Sequence, residues 1–164
     1  MFEIKPIYKD NNQRINEINN VLNKSFITVA VEFNLTKDNN PSNGAFVEVK
    51  DICTLIEKGL MIYGYYEKEN IIGCIGIKQS NMKDEFYIEK LCVLPEKRHN
   101  GIGFDLLQFG ENEIRKRNGK IISIGIINKN NQLKVWYAKN GYKEFEIRSL
   151  KHLPFEVCIM KKEI

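Results

Sequence analysis

Between Leu60 and Leu94 three β-rich runs follow one another closely, and this stretch restricts the fold more than any other. Leu60 to Tyr66 and Ile71 to Lys78 are separated only by Glu67, Lys68, Glu69 and Asn70, which has the length and chemistry of a hairpin turn. Phe86 to Leu94 then makes the third strand of a meander. Within it the large apolar positions change parity, from Phe86 and Ile88 to Leu91 and Val93 across Glu89 and Lys90. A β-bulge predicts such a slip, because one added residue re-aims the side chains beyond it. A strand buried on both faces would not need one.

Pro95 ends that strand. From Gly101 onward Ile102, Leu106, Phe109 and Ile114 form a helical stripe, with Arg115, Lys116 and Arg117 in its last turn, an end near Asn118 and Gly119 just beyond. Ile121 to Ile127 is a β-branched run, so the order strand, helix, strand implies a parallel pair joined by a crossover. Upstream, Phe2 and Ile4 alternate as a short strand, and Ile15, Ile18, Leu22 and Phe26 recur as one face of a helix. Asp38 to Gly44 breaks the chain; Phe46, Val49, Ile52, Cys53 and Ile56 resume helical spacing before Gly59. Downstream, Leu133 to Ala138 is a short helix closed by Asn140 and Gly141. Tyr142 to Arg148 and Phe155 to Met160 then form two strands, antiparallel across Leu153 and Pro154. The sum is one α+β domain over residues 1–164, with a mixed, mostly antiparallel sheet of six or seven strands and helices on both faces.

A chain of 164 residues buries roughly 70% of its unfolded surface, enough for a core without staples. It has no apolar run long enough to span a membrane, and its first residues lack the pattern of a signal peptide, so the expectation is a cytoplasmic protein without membrane contact. The 25 basic and 21 acidic residues are scattered, which argues against a nucleic-acid partner. Cys53, Cys74, Cys92 and Cys158 are far apart in sequence and only two histidines are present. No metal site is expected, and the cysteines read as small buried hydrophobes.

The chemistry concentrates at Arg98, His99, Asn100, Gly101, Ile102 and Gly103, between the strand that Pro95 ends and the next helix. Backbone N–H groups at a helix start lack internal partners, and glycine lets a phosphate approach them, so the segment can cradle an anion. Its other reading is structural: Asn100 caps the helix and the glycines serve a tight entry. A dinucleotide fingerprint fails because Leu106 stands where a third glycine belongs, and a phosphate loop of the Walker type lacks its Gly-Lys-Ser/Thr.

The run Leu91, Cys92, Val93, Leu94, Pro95, Glu96, Lys97, Arg98, His99, Asn100, Gly101, Ile102, Gly103 resembles the acetyl-coenzyme A motif of the GNAT superfamily of N-acetyltransferases. Asn130, Tyr137 and Lys139 to Tyr142 resemble that family's downstream Asn, Tyr, Gly, aromatic signature, and the order of elements fits over essentially the whole chain.

The resemblance implies acetyl-coenzyme A as cosubstrate and direct transfer of acetyl to a primary amine of a small molecule or peptide. It implies that backbone N–H groups of Arg98, His99, Asn100, Gly101, Ile102 and Gly103 bind the pyrophosphate, and that backbone groups of Leu91, Cys92 and Val93 pair with the pantetheine arm. Asn130 is either a further cofactor contact or the cap of the short helix. Tyr137 is the implied acid for the leaving thiolate, and Trp136 beside it reads as packing. Glu89, before the bulge, is the candidate base, with Glu85 its competitor. Cys92 could suggest an acyl-cysteine, but no histidine is near in sequence to activate it. Thr36 to Ala45 and His152 to Phe155 are candidate acceptor walls. A silent acyl-coenzyme A binding module is the alternative function, and a monomer or homodimer is expected.

Overall fold

The structure, a computed structural model, describes residues 2–164. The meander is present as β2 (Met61–Glu67), β3 (Asn70–Gln79) and β4 (Glu85–Val93), preceded by β1 (Phe2–Ile7), α1 (Asn12–Glu32) and α2 (Val49–Glu57). A single 3-10 turn, Pro95–Lys97, leads from β4 into α3 (Ile102–Lys116), followed by β5 (Ile121–Ile127), α4 (Asn131–Lys139), β6 (Lys143–Ser149) and β7 (Glu156–Glu163). The seven strands form one mixed sheet in the order β1-β2-β3-β4-β5-β7-β6, antiparallel except at β4 and β5.

Helices cover both faces, each over its own core. Ile15, Ile18 and Leu22 of α1 and Ile52 of α2 pack on Ile62, Cys74 and Cys92; Leu106, Leu107 and Ile114 of α3 pack on Ile75, Ile77, Phe86 and Ile122. Fully burying such a side chain contributes about 1.5–3 kcal/mol. No helix among the described residues is long and apolar enough to cross a membrane.

The parity change in β4 is a bulge. Cys92 pairs with Cys74 and Glu89 with Gly76, leaving Lys90 and Leu91 opposite Ile75, with Lys90 in the left-handed region at φ 55°. Phe86 and Ile88 before it, and Leu91 and Val93 after it, therefore reach the same α3-side core, while Cys92 turns to the α1 side.

Several boundaries differ from the expectation for local reasons. The β2–β3 turn tightens to Lys68 and Glu69 because Lys68 accepts φ 57°. Helix α2 starts at Val49 rather than Phe46, since Glu48 and Asp51 form a capping box there, and α1 continues past Phe26 to Glu32. Helix α3 ends at Lys116, and Asn118, not Gly119, takes the positive φ.

Gly119 is needed for space: a Cβ there would lie 2.3 Å from Ile114 Cγ2 and 2.8 Å from Phe86 Cδ2. Both neighbours are fully buried. Gly119→Ala is therefore expected to destabilise the fold by about 1–3 kcal/mol through overpacking. The check is a lower urea midpoint with an unchanged m value; an unshifted midpoint would refute the packing argument.

Candidate functional site

Strands β4 and β5 pair only where Glu85, Phe86 and Tyr87 meet Ile121, Ile122 and Ser123. Beyond those residues the two strands part, and the edge of Leu91, Cys92 and Val93 that would face β5 has no strand beside it. A cleft of about 480 Å³ opens there, walled by α1, the end of β4, the turn into α3, and α4. A wider groove of about 850 Å³, lined by residues such as Pro6, Ile56 and Phe109, lies elsewhere.

The turn into α3 supplies an open run of backbone donors. Pro95 starts a single 3-10 turn, His99 and Gly101 adopt φ 65° and 80°, and the first α3 hydrogen bond is Asp105 N–H to Gly101 O at 3.0 Å. Among the described residues the N–H groups from His99 through Phe104 find no backbone acceptor. Together with the helix dipole they can accept an anion. A Cβ on Gly101 would meet nothing within 4 Å, so the space above it is open. Glycine is there for its dihedral, whereas His99 holds a left-handed conformation that costs of order 1–3 kcal/mol.

Two members of the expected cradle have other duties. The Arg98 N–H donates to Pro95 O at 3.3 Å. Asn100 does not cap α3 and does not line the cleft; its side-chain amide donates back to Lys97 O and Arg98 O, pinning the turn. The Arg98 guanidinium crosses to α1, donating to Ser25 O at 2.7 Å and Thr28 Oγ1 at 3.1 Å, while its Nε donates to Val93 O at 3.1 Å. It thus clamps the α1 wall of the cleft to the end of β4.

Tyr137 of α4 is buried at the cleft wall. Ser25 Oγ is the one fully buried side-chain polar atom without a partner among the described residues. The Tyr137 hydroxyl makes no hydrogen bond among the described residues, and its side chain lines the cleft. Burial pushes this phenol well above its ordinary pKa. Its ring packs edge-on between Trp136, at 4.9 Å, and Tyr142, at 5.4 Å. The Tyr142 hydroxyl donates to buried Glu111, whose two carboxylate oxygens accept from Lys162 at 2.9 Å. Trp136 thus combines packing with a place in the cleft wall.

Asn130 lines the cleft and caps α4, with Oδ1 accepting from Leu133 N–H at 3.2 Å. Leu91, Cys92, Val93, His99, Gly101, Ile102 and Gly103 line it as well. Glu89 does not. It stands half-buried on β4 opposite Gly76, just before the bulge, with no ion pair among the described residues. Glu85 is committed elsewhere: it accepts from Ser123 Oγ at 2.6 Å and from Lys161 Nζ at 3.0 Å, contacts that hold its carboxyl below the usual range. The two candidate acceptor segments, Thr36 to Ala45 and His152 to Phe155, do not line the cleft.

The α1 contribution, Ser25, Phe26, Thr28, Val29 and Glu32, is not anticipated from the sequence. One signal was available, a serine at position 25 in helical phase with Ile15, Ile18 and Leu22. Among the described residues no group of three or more His, Cys, Asp or Glu side chains could hold a metal ion.

A family model described as the acetyltransferase (GNAT) domain matches residues 58–144, just over half of the chain. No curated protein sequence matches. Solved structures with the same fold include the ribosomal-protein-S18-alanine N-acetyltransferase from Escherichia coli, at 15% identity and TM-score 0.76 over 100% of this chain and 94% of that one. The PaiA N-acetyltransferase from Thermoplasma acidophilum, in complex with coenzyme A, aligns at 17% identity and TM-score 0.76 over 100% and 99%. A GNAT family acetyltransferase from Elizabethkingia anophelis with acetyl-CoA bound aligns at 16% identity and TM-score 0.69 over 99% and 98%.

The Arg98 clamp yields a stability test. Arg98→Met keeps the aliphatic stem but removes three hydrogen bonds from a charged donor, so the fold should lose about 1.5–3 kcal/mol. Hydrogen exchange of the α1 amides around Ser25 and Thr28 should quicken in the variant. Unchanged exchange there would show that α1 is held without the clamp.

Proposed function

The chain belongs to the GNAT acetyltransferase family, and on that premise we propose that it transfers acetyl directly from acetyl-coenzyme A to a primary amine of a small molecule or peptide. The observation that carries this reading is the meeting, in one cleft, of an open N–H run, an unpaired strand edge and a tyrosine hydroxyl. Two structural neighbours, one in complex with coenzyme A and one with acetyl-CoA bound, support the choice of cosubstrate.

The residues fit such a ligand. The N–H groups of His99 through Phe104 donate to a pyrophosphate lying over Gly101, where no side chain intrudes. The free edge of Leu91, Cys92 and Val93 pairs with an extended amide-bearing arm as a strand would. When bound, acetyl-coenzyme A supplies an activated thioester and a thiolate leaving group. Tyr137 donates the proton that the thiolate takes up, and the Tyr142, Glu111, Lys162 chain holds its ring in place. Glu89 acts as base through a water, since its carboxylate forms no ion pair among the described residues and stands beside the bulge.

Two tests follow from these roles. Gly101→Glu sets a carboxylate where the pyrophosphate would lie, and losing even one charge-assisted contact is worth about 1.5–3 kcal/mol. Calorimetry should show at least a tenfold weaker affinity for acetyl-coenzyme A, with Gly101→Ala separating backbone strain from charge. Equal affinities for Gly101→Glu and wild type would remove the cradle from the mechanism.

Tyr137→Phe keeps the ring and loses the proton donor, so turnover across an amine panel should fall by about 10² to 10⁴ with little change in cofactor affinity. Because burial raises the phenol pKa, the acid stays protonated on the alkaline side. Turnover of the wild type should therefore show no decline from tyrosine ionisation up to about pH 10. Thiol release that is undiminished in Tyr137→Phe would retire the tyrosine from catalysis.

A further inference from the structure

Two cysteines meet beside the bulge, and the transfer reaction uses neither thiol. Cys74 of β3 and Cys92 of β4 are direct cross-strand partners, and their sulfurs are 3.6 Å apart. Opposed residues of antiparallel strands have Cα atoms about 4.5–5.5 Å apart. That lies inside the window of about 4.4–6.8 Å that a disulfide spans. The backbone therefore already brings the two sulfurs within reach of a bond.

Their surroundings divide the roles. Cys74 is fully buried and also directs its thiol to Lys90 O at 3.4 Å, whereas Cys92 is 9% exposed and lines the cleft. The orphan Ser25 hydroxyl lies against Cys92, and a thiolate there would give it the acceptor it lacks. The Cys74 thiol, that hydroxyl and the Arg98 guanidinium together hold Cys92 below the ordinary thiol value, while the contact with Cys92 and burial push Cys74 up. Cys92 is thus the attacking sulfur and Cys74 the resolving one. Cys53 on α2 and Cys158 on β7 have no such partner.

We propose that Cys74 and Cys92 form a peroxide-sensitive dithiol whose oxidation to a disulfide closes the acyl-coenzyme A arm site. The Cys92 thiolate attacks one oxygen of hydrogen peroxide; an S–O bond forms, the O–O bond breaks, and hydroxide departs to be protonated to water. The Cys74 sulfur then displaces the hydroxyl of the resulting sulfenic acid. An S–S bond forms, the S–O bond breaks, and the Cys74 proton leaves with the hydroxide as a second water. Two thiols and one peroxide become one disulfide and two waters. The new bond shortens the sulfur separation to about 2.05 Å and draws Cys92 toward β3. That displaces the strand edge which, on the acetyltransferase reading, binds the pantetheine arm; this last consequence rests on that reading.

The full chain would be treated with hydrogen peroxide, its remaining thiols alkylated under denaturing conditions, and its peptides mapped by mass spectrometry. A peptide linking Cys74 to Cys92 is expected, with Cys53 and Cys158 alkylated, and dithiothreitol should abolish the link. Acetyl-coenzyme A affinity should fall at least tenfold on oxidation and return on reduction. In Cys74→Ser, peroxide should instead carry Cys92 to a sulfinic acid that dithiothreitol does not reverse. Should that variant not fold, the wild-type peptide map and its reversal decide alone. Full alkylation of Cys74 and Cys92 at peroxide levels that oxidise Cys53 would overturn the proposal, and so would a linked protein that binds acetyl-coenzyme A as well as the reduced one. The linkage is read without ligand, so failure of the acetyltransferase reading would appear separately, as absent binding by the reduced protein.

Discussion

One additional residue in β4 underlies the rest of the site. The bulge at Lys90 and Leu91 lets the strand serve two cores, because Phe86 and Ile88 before it and Val93 after it all point toward α3. Without it Val93 would turn to α1 and Cys92 to α3. The same strand leaves β5 after three paired residues, so its final segment emerges with one edge bonded to β3 and the other free. A free edge inside a protein is normally a liability. Here it lies in a cleft walled by α1 on one side and α4 on the other.

The turn that follows would be mobile if its backbone had only its own bonds. Instead Arg98 reaches three acceptors, two on α1 and one on β4, and Asn100 pins the turn from within. Both residues stand in the anion motif, yet their side chains build its frame while neighbouring main-chain groups face the opening. On the far wall, Tyr137 is held by Tyr142, and Tyr142 by a carboxylate that is fully buried against Lys162. A buried ion pair contributes little net stability, since desolvation offsets its Coulomb attraction. Its role here is placement: Glu111 can satisfy its oxygens only if Tyr142 and Lys162 occupy their observed positions.

The parts of this design that depend on neighbours in the chain are legible in the sequence. Alternation in β2 to β4, the parity slip, the β-branched run of β5 and the glycines at the start of α3 each express a local rule of backbone or side-chain geometry, and each has its counterpart in the structure. Boundaries moved where a residue other than glycine accepts a positive φ, as at Lys68, or where a capping box displaced a helix start, as at Glu48. Residues with two possible duties could not be resolved from sequence. The Asn100 side chain could cap α3 and instead pins the turn, whereas Asn130 caps α4 and also lines the cleft.

By itself the sequence determined the order of strands and helices, the bulge, and the run of backbone donors beside Gly101, because these follow from dihedral preferences and from periodicities of two and 3.6 residues. Only the tertiary structure decided that α1 walls the cleft and that the Arg98 guanidinium serves α1. It alone set Glu85 against Lys161 and brought Cys74 to Cys92. These are contacts between residues far apart in the chain, and their distances depend on how the sheet stacks its strands. A sequence pattern states which face a residue occupies, but not which residue from another element will lie across from it.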